Sequence, residues 1–219
     1  MNILMLTDIH GAMLHYDKIK EQASEVDVIA LSGDITHFGR RNEAEEIIET
    51  IRESNPNILA IPGNCDYSDV SRYLAEEGIS LHCRFRDILG IRFIGVGGSL
   101  PCPGKTPFEF TEEELGEYIN LTYEDNLAKK PFIMLMHQPP YETLNDNVNG
   151  HHVGSKLIRS FIENTQPLAC LCGHIHEGVG VDKIGMTYII NPGPFREGRY
   201  AFINISDTFD VNTKIFQPD

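Results

Sequence analysis

No stretch of the 219-residue chain approaches the ~18 consecutive apolar residues that a membrane span needs, which argues against an integral membrane protein. Basic residues are scarce too. Lysine and arginine number 18 against 32 acids, a formal net charge of −14. Such a surface repels a nucleic-acid backbone, whose binding rests on neutralisation by basic side chains. A small phosphate ester is not excluded, because bound cations invert the local field. The five cysteines are odd in number and no two are spaced C-x-x-C, which gives neither a disulfide framework nor a structural zinc pattern. Met1–Thr7 is apolar, but too short and too poor in basic residues for a secretory signal, and it reads as a first strand. These absences together predict a reducing, cytoplasmic setting. Repeats, low-complexity tracts and linker-like stretches are also missing, so residues 1–219 read as one domain.

What is present is an alternation. Apolar runs at Asn2–Thr7, Asp27–Ser32 and Asn57–Pro62 predict strands, with helical patterns after them at Tyr16–Ser24, Glu43–Arg52 and Ser68–Glu77. That succession is the βαβ signature of a mostly parallel sheet. Ile79–Phe85 and Ile88–Val96 read as two further strands with a hinge at Leu89-Gly90, and Gly97–Phe110 as a long loop. Thr111-x-x-Glu114 is a capping-box signature that opens a helix running to about Lys129. Phe132–Met136 and Leu168–Cys172 read as buried strands, Pro139–His152 as a second long loop and Val153–Asn164 as a helix. From Val179 onward the pattern breaks into short strands and turns. Cys170 and Cys172 alternate on their strand, which places both on one face as small core residues. The fold class is α/β, and a parallel half followed by a more antiparallel half predicts two sheets packed face to face with helices outside.

Chemistry-bearing residues gather where the strands end. Asp8-Ile9-His10 follows the first strand, Gly33-Asp34 the second and Gly63-Asn64-Cys65-Asp66 the third; His137 follows Phe132–Met136, and Gly173-His174-Ile175-His176 follows Leu168–Cys172. Ligands of open α/β sheets bind outside the carboxyl ends of the strands. Singly, each cluster also reads as an ordinary polar turn. In an extended segment Asp-x-His would put both side chains on one face. As candidate ligands the five ends offer Asp8, Asp34, Asn64 and four His, with glycine at three of the turns. Mixed imidazole and carboxylate donors suit Mn, Fe, Ni, Co or Zn better than Ca or Mg. The set is too large for one tetrahedral ion and suits two divalent ions sharing a carboxylate.

As an ordered set, Asp8-x-His10, Gly33-Asp34, Gly63-Asn64-x-Asp66, His137 and Gly173-His174-x-His176 resembles the calcineurin-like metallophosphoesterases, from Met1 to about Asn191. The resemblance implies a four-layer α/β/β/α sandwich of two mixed β-sheets flanked by helices. It implies a metal set of Asp8, His10 and His176 on one ion, Asn64, His137 and His174 on the other, and Asp34 bridging. It also implies a phosphoesterase acting through a metal-bridging hydroxide, with manganese among the fitting metals. The loops Gly150–Ser155 and Asn191–Pro194 resemble those of small prokaryotic members and would lie at the rim of the site. Asp34, Asn64, Cys65, Asp66 and His152 form the candidate catalytic set.

Two positions depart from the family pattern. Cys65 stands where many members have a histidine that meets the phosphate or the leaving group, and His37 stands where many continue Gly-Asp-x-x-Asp. Members with cysteine include small phosphodiesterases, and one fold relative is a protein-sorting scaffold. The expected substrate is a small phosphodiester, nucleotide-derived esters among the candidates. A nuclease of the same family is disfavoured by the acidity, and a scaffold by the retention of all seven ligand positions. Gly95-x-Gly97-Gly98 lacks a Rossmann context and reads as a loop. Ser99 and Ser155 lack the partners of a nucleophile, and Ser155 reads instead as a helix start.

Overall fold

Side-chain alternation along the first strand decides the layering. In β1 (Asn2–Leu6), Ile3 and Met5 enter one apolar cluster while Leu4 and Leu6 enter another, all four fully buried. A strand buried on both faces needs a layer on each side. The computed structural model, which describes residues 1–124 and 130–218, supplies those layers. In chain order the elements are β1, α1 (Lys20–Glu25), β2 (Val28–Ser32), α2 (Arg41–Arg52), β3 (Ile58–Ile61), α3 (Ser68–Glu76), β4 (Arg84–Ile88), β5 (Ile91–Val96) and α4 (Glu112–Glu124). They continue with β6 (Phe132–Met136), β7 (Asn147–Val148), β8 (His151–His152), α5 (Lys156–Thr165), β9 (Ala169–Leu171), β10 (Gly180–Ile184), β11 (Thr187–Asn191), β12 (Tyr200–Ile205) and β13 (Val211–Phe216).

One sheet has the order β13-β12-β1-β2-β3 and the other β10-β11-β9-β6-β5-β4. Within them β1, β2 and β3 run parallel, as do β5, β6, β9 and β11, and the remaining pairings are antiparallel. Three apolar clusters separate four layers: α1, α2 and α3 pack on the first sheet, the sheets pack on each other, and α4 and α5 pack on the second. The expected α/β/β/α sandwich of two mixed sheets is the fold observed. Each Leu or Ile fully buried this way contributes about 1.5–3 kcal/mol. Cys170 and Cys172 both belong to the α4/α5 cluster, on one face of their strand.

Local signals hold at several helix starts. The Thr111 backbone N–H donates to Glu114 Oε2 (2.8 Å) and the Glu114 N–H to Thr111 Oγ1 (3.2 Å), a closed capping box. Ser155 Oγ accepts from the Ile158 N–H (3.1 Å), so Ser155 caps α5, which starts three residues after the expected Val153. The end of α4 expected near Lys129 lies outside the described residues.

Other segments differ. Tyr16–Ser24 is a 3₁₀ turn at Tyr16–Lys18 followed by the short α1. Of Ile79–Phe85 only Arg84 and Phe85 belong to a strand. The segment's first residues make only isolated bridges, Ser80 to Ala60 and His82 to Gly95, and Cys83 at φ 54° turns the chain before β4 begins at Arg84. The Leu89-Gly90 hinge is real: both residues have positive φ, at 47° and 83°, the geometry of a two-residue hairpin turn. The Pro139–His152 loop carries a 3₁₀ turn at Leu144–Asp146 and the small β7–β8 hairpin, whose Asn149-Gly150 turn (φ 52° and 85°) is a short-range signal passed over in the sequence.

Candidate functional site

The carboxyl ends of β1, β2 and β3 in one sheet meet those of β6 and β9 in the other, and Ser32 closes the seam. Its buried hydroxyl donates to the Met136 carbonyl (2.6 Å) and lies 3.3 Å from that of Leu171. Around this junction the structure gathers Asp8, His10, Asp34, Asn64, Cys65, His137, His174 and His176. Asp8, Asp34, Asn64 and His137 are buried, exposed by 4% or less.

Backbone conformation aims these side chains. Asp8, His10, Asp34 and His174 have φ between 48° and 67°, a region that costs non-glycine residues energy. Extended alternation is therefore not what brings Asp8 and His10 together. The strand ends at Leu6, and the turn is held by loop-to-loop bonds: Asp8 N–H to the Gly33 carbonyl (3.1 Å), His10 N–H to Asp34 (2.8 Å) and Gly11 N–H to Ile35 (3.0 Å). Glycine is required at two of the turns by close approach. A Cβ on Gly63 would fall on the Asp34 amide nitrogen and Oδ1, and one on Gly173 would fall on Thr7 Oγ1.

Two ligand clusters result, with Asp34 between them. In the first, His176 Nε2 lies 3.2 Å and His10 Nε2 3.9 Å from Asp8 Oδ1, and His10 Nε2 is 3.6 Å from Asp34 Oδ2. In the second, His137 Nε2 lies 3.5 Å from Asp34 Oδ1 and 2.9 Å from Asn64 Oδ1. The Asp34 carboxylate thus turns one oxygen to each side, and Oδ1 also accepts the Cys65 N–H at 2.8 Å. His174 stands with its ring 5.2 Å from that of His137, and its backbone N–H donates to Asp8 Oδ2 (3.1 Å).

The donor chemistry fits metal ions. His10 Nε2 is buried and has no hydrogen-bond partner. His137 Nδ1 lies 2.7 Å from the Ser32 carbonyl and so carries the ring proton, which leaves the Nε2 lone pair facing two oxygen acceptors. A cation resolves that arrangement. A proton is one answer: burial disfavours charge on His137, but Asp34 and Asp8 overcome it and push the imidazole up to about 9. A divalent metal is the other. Burial and the neighbouring His137 push His174 down to about 4, and burial lowers His10, so both remain neutral donors. Burial also opposes ionisation of Asp34, yet His137 and His10 hold its carboxyl well below the usual range. Among the described residues, Asp8–His10–His176, Asp8–Asp34–His137 and His10–Asp34–Cys65 each bring potential ligand atoms within 4.8 Å of one another.

The remaining candidates take different places. Asp66 faces backbone. Its oxygens accept from the N–H groups of Ile35 (3.1 Å), Thr36 (2.8 Å) and Gly63 (2.8 Å) and from the Thr36 hydroxyl (2.8 Å), so it braces the loops that carry Asp34 and Asn64. The Cys65 thiol is 8% exposed; burial and the Asp34 charge push its pKa far above the usual thiol value, and it stays protonated. His152 sits on the β7–β8 hairpin with Nδ1 2.7 Å from the buried Asp146 Oδ1. His37, exposed, places Nδ1 3.4 Å from His10 Nδ1. Three contributors carry no signal in the sequence. Thr106 Oγ1 takes the Asn64 amide N–H (3.0 Å) and so turns Asn64 Oδ1 toward His137; Thr7 Oγ1 donates to Asp8 Oδ2 (2.8 Å); Arg196 Nη2 lies 3.3 Å from His176 Nδ1.

The profile described as calcineurin-like phosphoesterase matches residues 1–178. The chain belongs to this family. As a calcineurin-like phosphoesterase, it is 40% identical over 202 residues to an uncharacterized protein of Methanocaldococcus jannaschii, covering 89% of this chain and 88% of that one. It is also 29% identical over 185 residues to a probable glycerophosphodiester phosphodiesterase of Arcobacter nitrofigilis, covering 77% of this chain and 64% of the relative. In three dimensions it superposes on TT1561 of Thermus thermophilus with a TM-score of 0.78 at 20% identity, over 97% of each chain. Family membership and the ligand groups together support a metal-dependent phosphoester hydrolase. No described helix is long and apolar enough to cross a membrane.

Proposed function

We propose that this calcineurin-like phosphoesterase holds two divalent cations and hydrolyses small phosphodiesters, nucleotide-derived esters among them, in preference to phosphate monoesters. The observation that carries the reading is the Asp34 carboxylate, whose two oxygens face His10 on one side and His137 on the other (3.6 and 3.5 Å). Asp8, His10 and His176 would hold one ion, Asn64, His137 and His174 the other, and Asp34 both. The mixed nitrogen and oxygen donors favour Mn, Fe, Co, Ni or Zn. Two ions bound there would lower the pKa of water toward neutrality and neutralise charge on a phosphoryl group.

The chain's own groups supply orientation and proton traffic. Thr7, Thr106, Asp66 and the Ser32 carbonyl fix the donors before any ligand arrives, so little reorganisation is left for the reaction. His152, with Asp146 holding Nδ1, presents Nε2 as a group able to pass a proton to a departing alkoxide. Cys65 supplies no positive charge and is a poor acid, which favours monoanionic diesters over dianionic monoesters. The Arcobacter relative, described as a probable glycerophosphodiester phosphodiesterase, points the same way. The test is metal analysis of the purified protein together with rates on mono-, di- and cyclic phosphate esters. Two ions per chain and a higher kcat/KM on diesters are expected. One ion under metal-replete conditions, or a preference for monoesters, overturns the corresponding half of the proposal.

A further inference from the structure

Asn191, Pro192, Gly193 and Pro194 lead from β11 into a 3₁₀ turn at Phe195–Glu197, and every part of that segment is tied down. The buried Asn191 side chain donates to the Ile175 carbonyl (2.9 Å) and accepts the Gly193 N–H (2.9 Å), which fastens the segment to the loop between His174 and His176. The Phe195 N–H donates to the Thr7 carbonyl (2.8 Å), and its fully buried ring packs edge-on against Tyr16. The Arg196 N–H donates to the Asp8 carbonyl (3.3 Å), and Gly198 at φ 82° closes the turn. Arg196 therefore leaves a rigid base beside the ligand cluster, with its side chain in solvent.

Its guanidinium has an unusual environment for so acidic a chain. Among the described residues no carboxylate forms an ion pair with Arg196, and its side-chain contact is Nη2 to His176 Nδ1 at 3.3 Å. That contact requires a bare Nδ1, because a guanidinium can only donate. His176 Nε2 faces Asp8 Oδ1 in the same cluster. Once the Nε2 lone pair is given to a cation, the proton of the neutral ring must sit on Nδ1. Two donors then face each other, and Arg196 needs a different acceptor. A phosphate oxygen held over the cluster is the acceptor the site exists to receive, and the planar guanidinium fork matches it.

We propose that Arg196 is a substrate-binding residue that holds a non-bridging oxygen of the substrate phosphate; this rests on the phosphoesterase reading above. Inorganic phosphate, as a ligand and as a competitive inhibitor of diester hydrolysis, is the probe. Metal content is measured in parallel in wild type, R196Q and R196K. With metal content unchanged, R196Q should bind phosphate roughly 10- to 100-fold more weakly, the range a hydrogen bond to a charged group commands, and raise KM more than it lowers kcat. R196K should retain part of the affinity, since a lysine keeps the charge without the fork. Wild-type phosphate affinity in R196Q overturns the assignment. So does metal loss in R196Q that accounts for the weaker binding, which would make Arg196 a positioning residue for His176. A wild-type protein that takes up metal but neither binds phosphate nor cleaves esters would instead defeat the phosphoesterase reading, and this assignment with it.

Discussion

Asp34 and Asn64 sit within a few ångströms of His137 and differ in what they offer it. Asp34 brings a full negative charge to both clusters, whereas Asn64 brings a neutral amide oxygen to one. Asp34→Ala should therefore lower the content of both metals and leave less residual activity than Asn64→Ala, which should weaken one site. Equal losses in the two variants, by elemental analysis and turnover, would mean that the bridge lies elsewhere. Cys65 poses a separate question. Its protonated, buried thiol carries no charge, while a histidine there could be cationic and could protonate a leaving group, effects worth about 10²–10⁴ in rate. Cys65→His should thus shift the diester-to-monoester ratio of kcat/KM toward monoesters. An unchanged ratio at equal metal content would make Cys65 a packing residue. The ligand positions were legible because each sits directly after an apolar run, with glycine where the backbone must approach a neighbour. Thr106 and Arg196 were not. Thr106 is one hydroxyl in a loop rich in Gly and Pro, and meets Asn64 only through a contact spanning 42 residues. Nothing local distinguishes Arg196 from a solvated surface arginine.

Among the elements, the β7–β8 hairpin shows how a loop positions a side chain. Asp146 accepts the N–H groups of Glu142 (3.1 Å), Thr143 (2.8 Å) and Gly154 (2.9 Å) while holding His152, so one buried carboxylate both shapes the loop and orients the imidazole. His152→Ala should leave metal content intact and lower turnover on the order of 10²-fold on esters with poor leaving groups, and less on good ones. Wild-type rates on both would remove His152 from the chemistry. The strands that carry the site were read from sequence within a residue or two, because burial on both faces leaves near-continuous apolar runs. Ile79–Phe85 misled for the same reason. Ile79 and Leu81 are core plugs on an irregular connection, and composition alone does not separate those from a strand.

For the molecule as a whole, stability should depend on pH through His82. Its ring packs among Phe108, Phe110 and Tyr118, and Nδ1 accepts the Gly97 N–H (3.0 Å). Burial, helped by the Arg84 charge, pushes it down to about 4, against about 6.5 in the unfolded chain. Between those values the unfolded chain takes up a proton that the folded chain refuses. This contribution is therefore complete above about pH 6.5 and is lost as pH falls toward 4. Urea midpoints at pH 7 and pH 5 should differ more in wild type than in His82→Asn, whose amide can accept the same N–H without titrating. Equal differences would show that His82 is solvated.

The Ser32 seam has one more consequence, for the order of events in folding. Asp8, His10, Asp34 and Asn64 are carried by one sheet, and His137, His174 and His176 by the other. Neither sheet alone holds either of the two ion sites proposed around Asp34, so uptake of both ions reports that the two have docked in register. During refolding, secondary structure followed by circular dichroism should return before metal affinity does, and the Ser32→Ala chain should widen that lag. Recovery of both signals in a single step would mean that the sheets form only as they dock, with the two halves of the cluster arriving together.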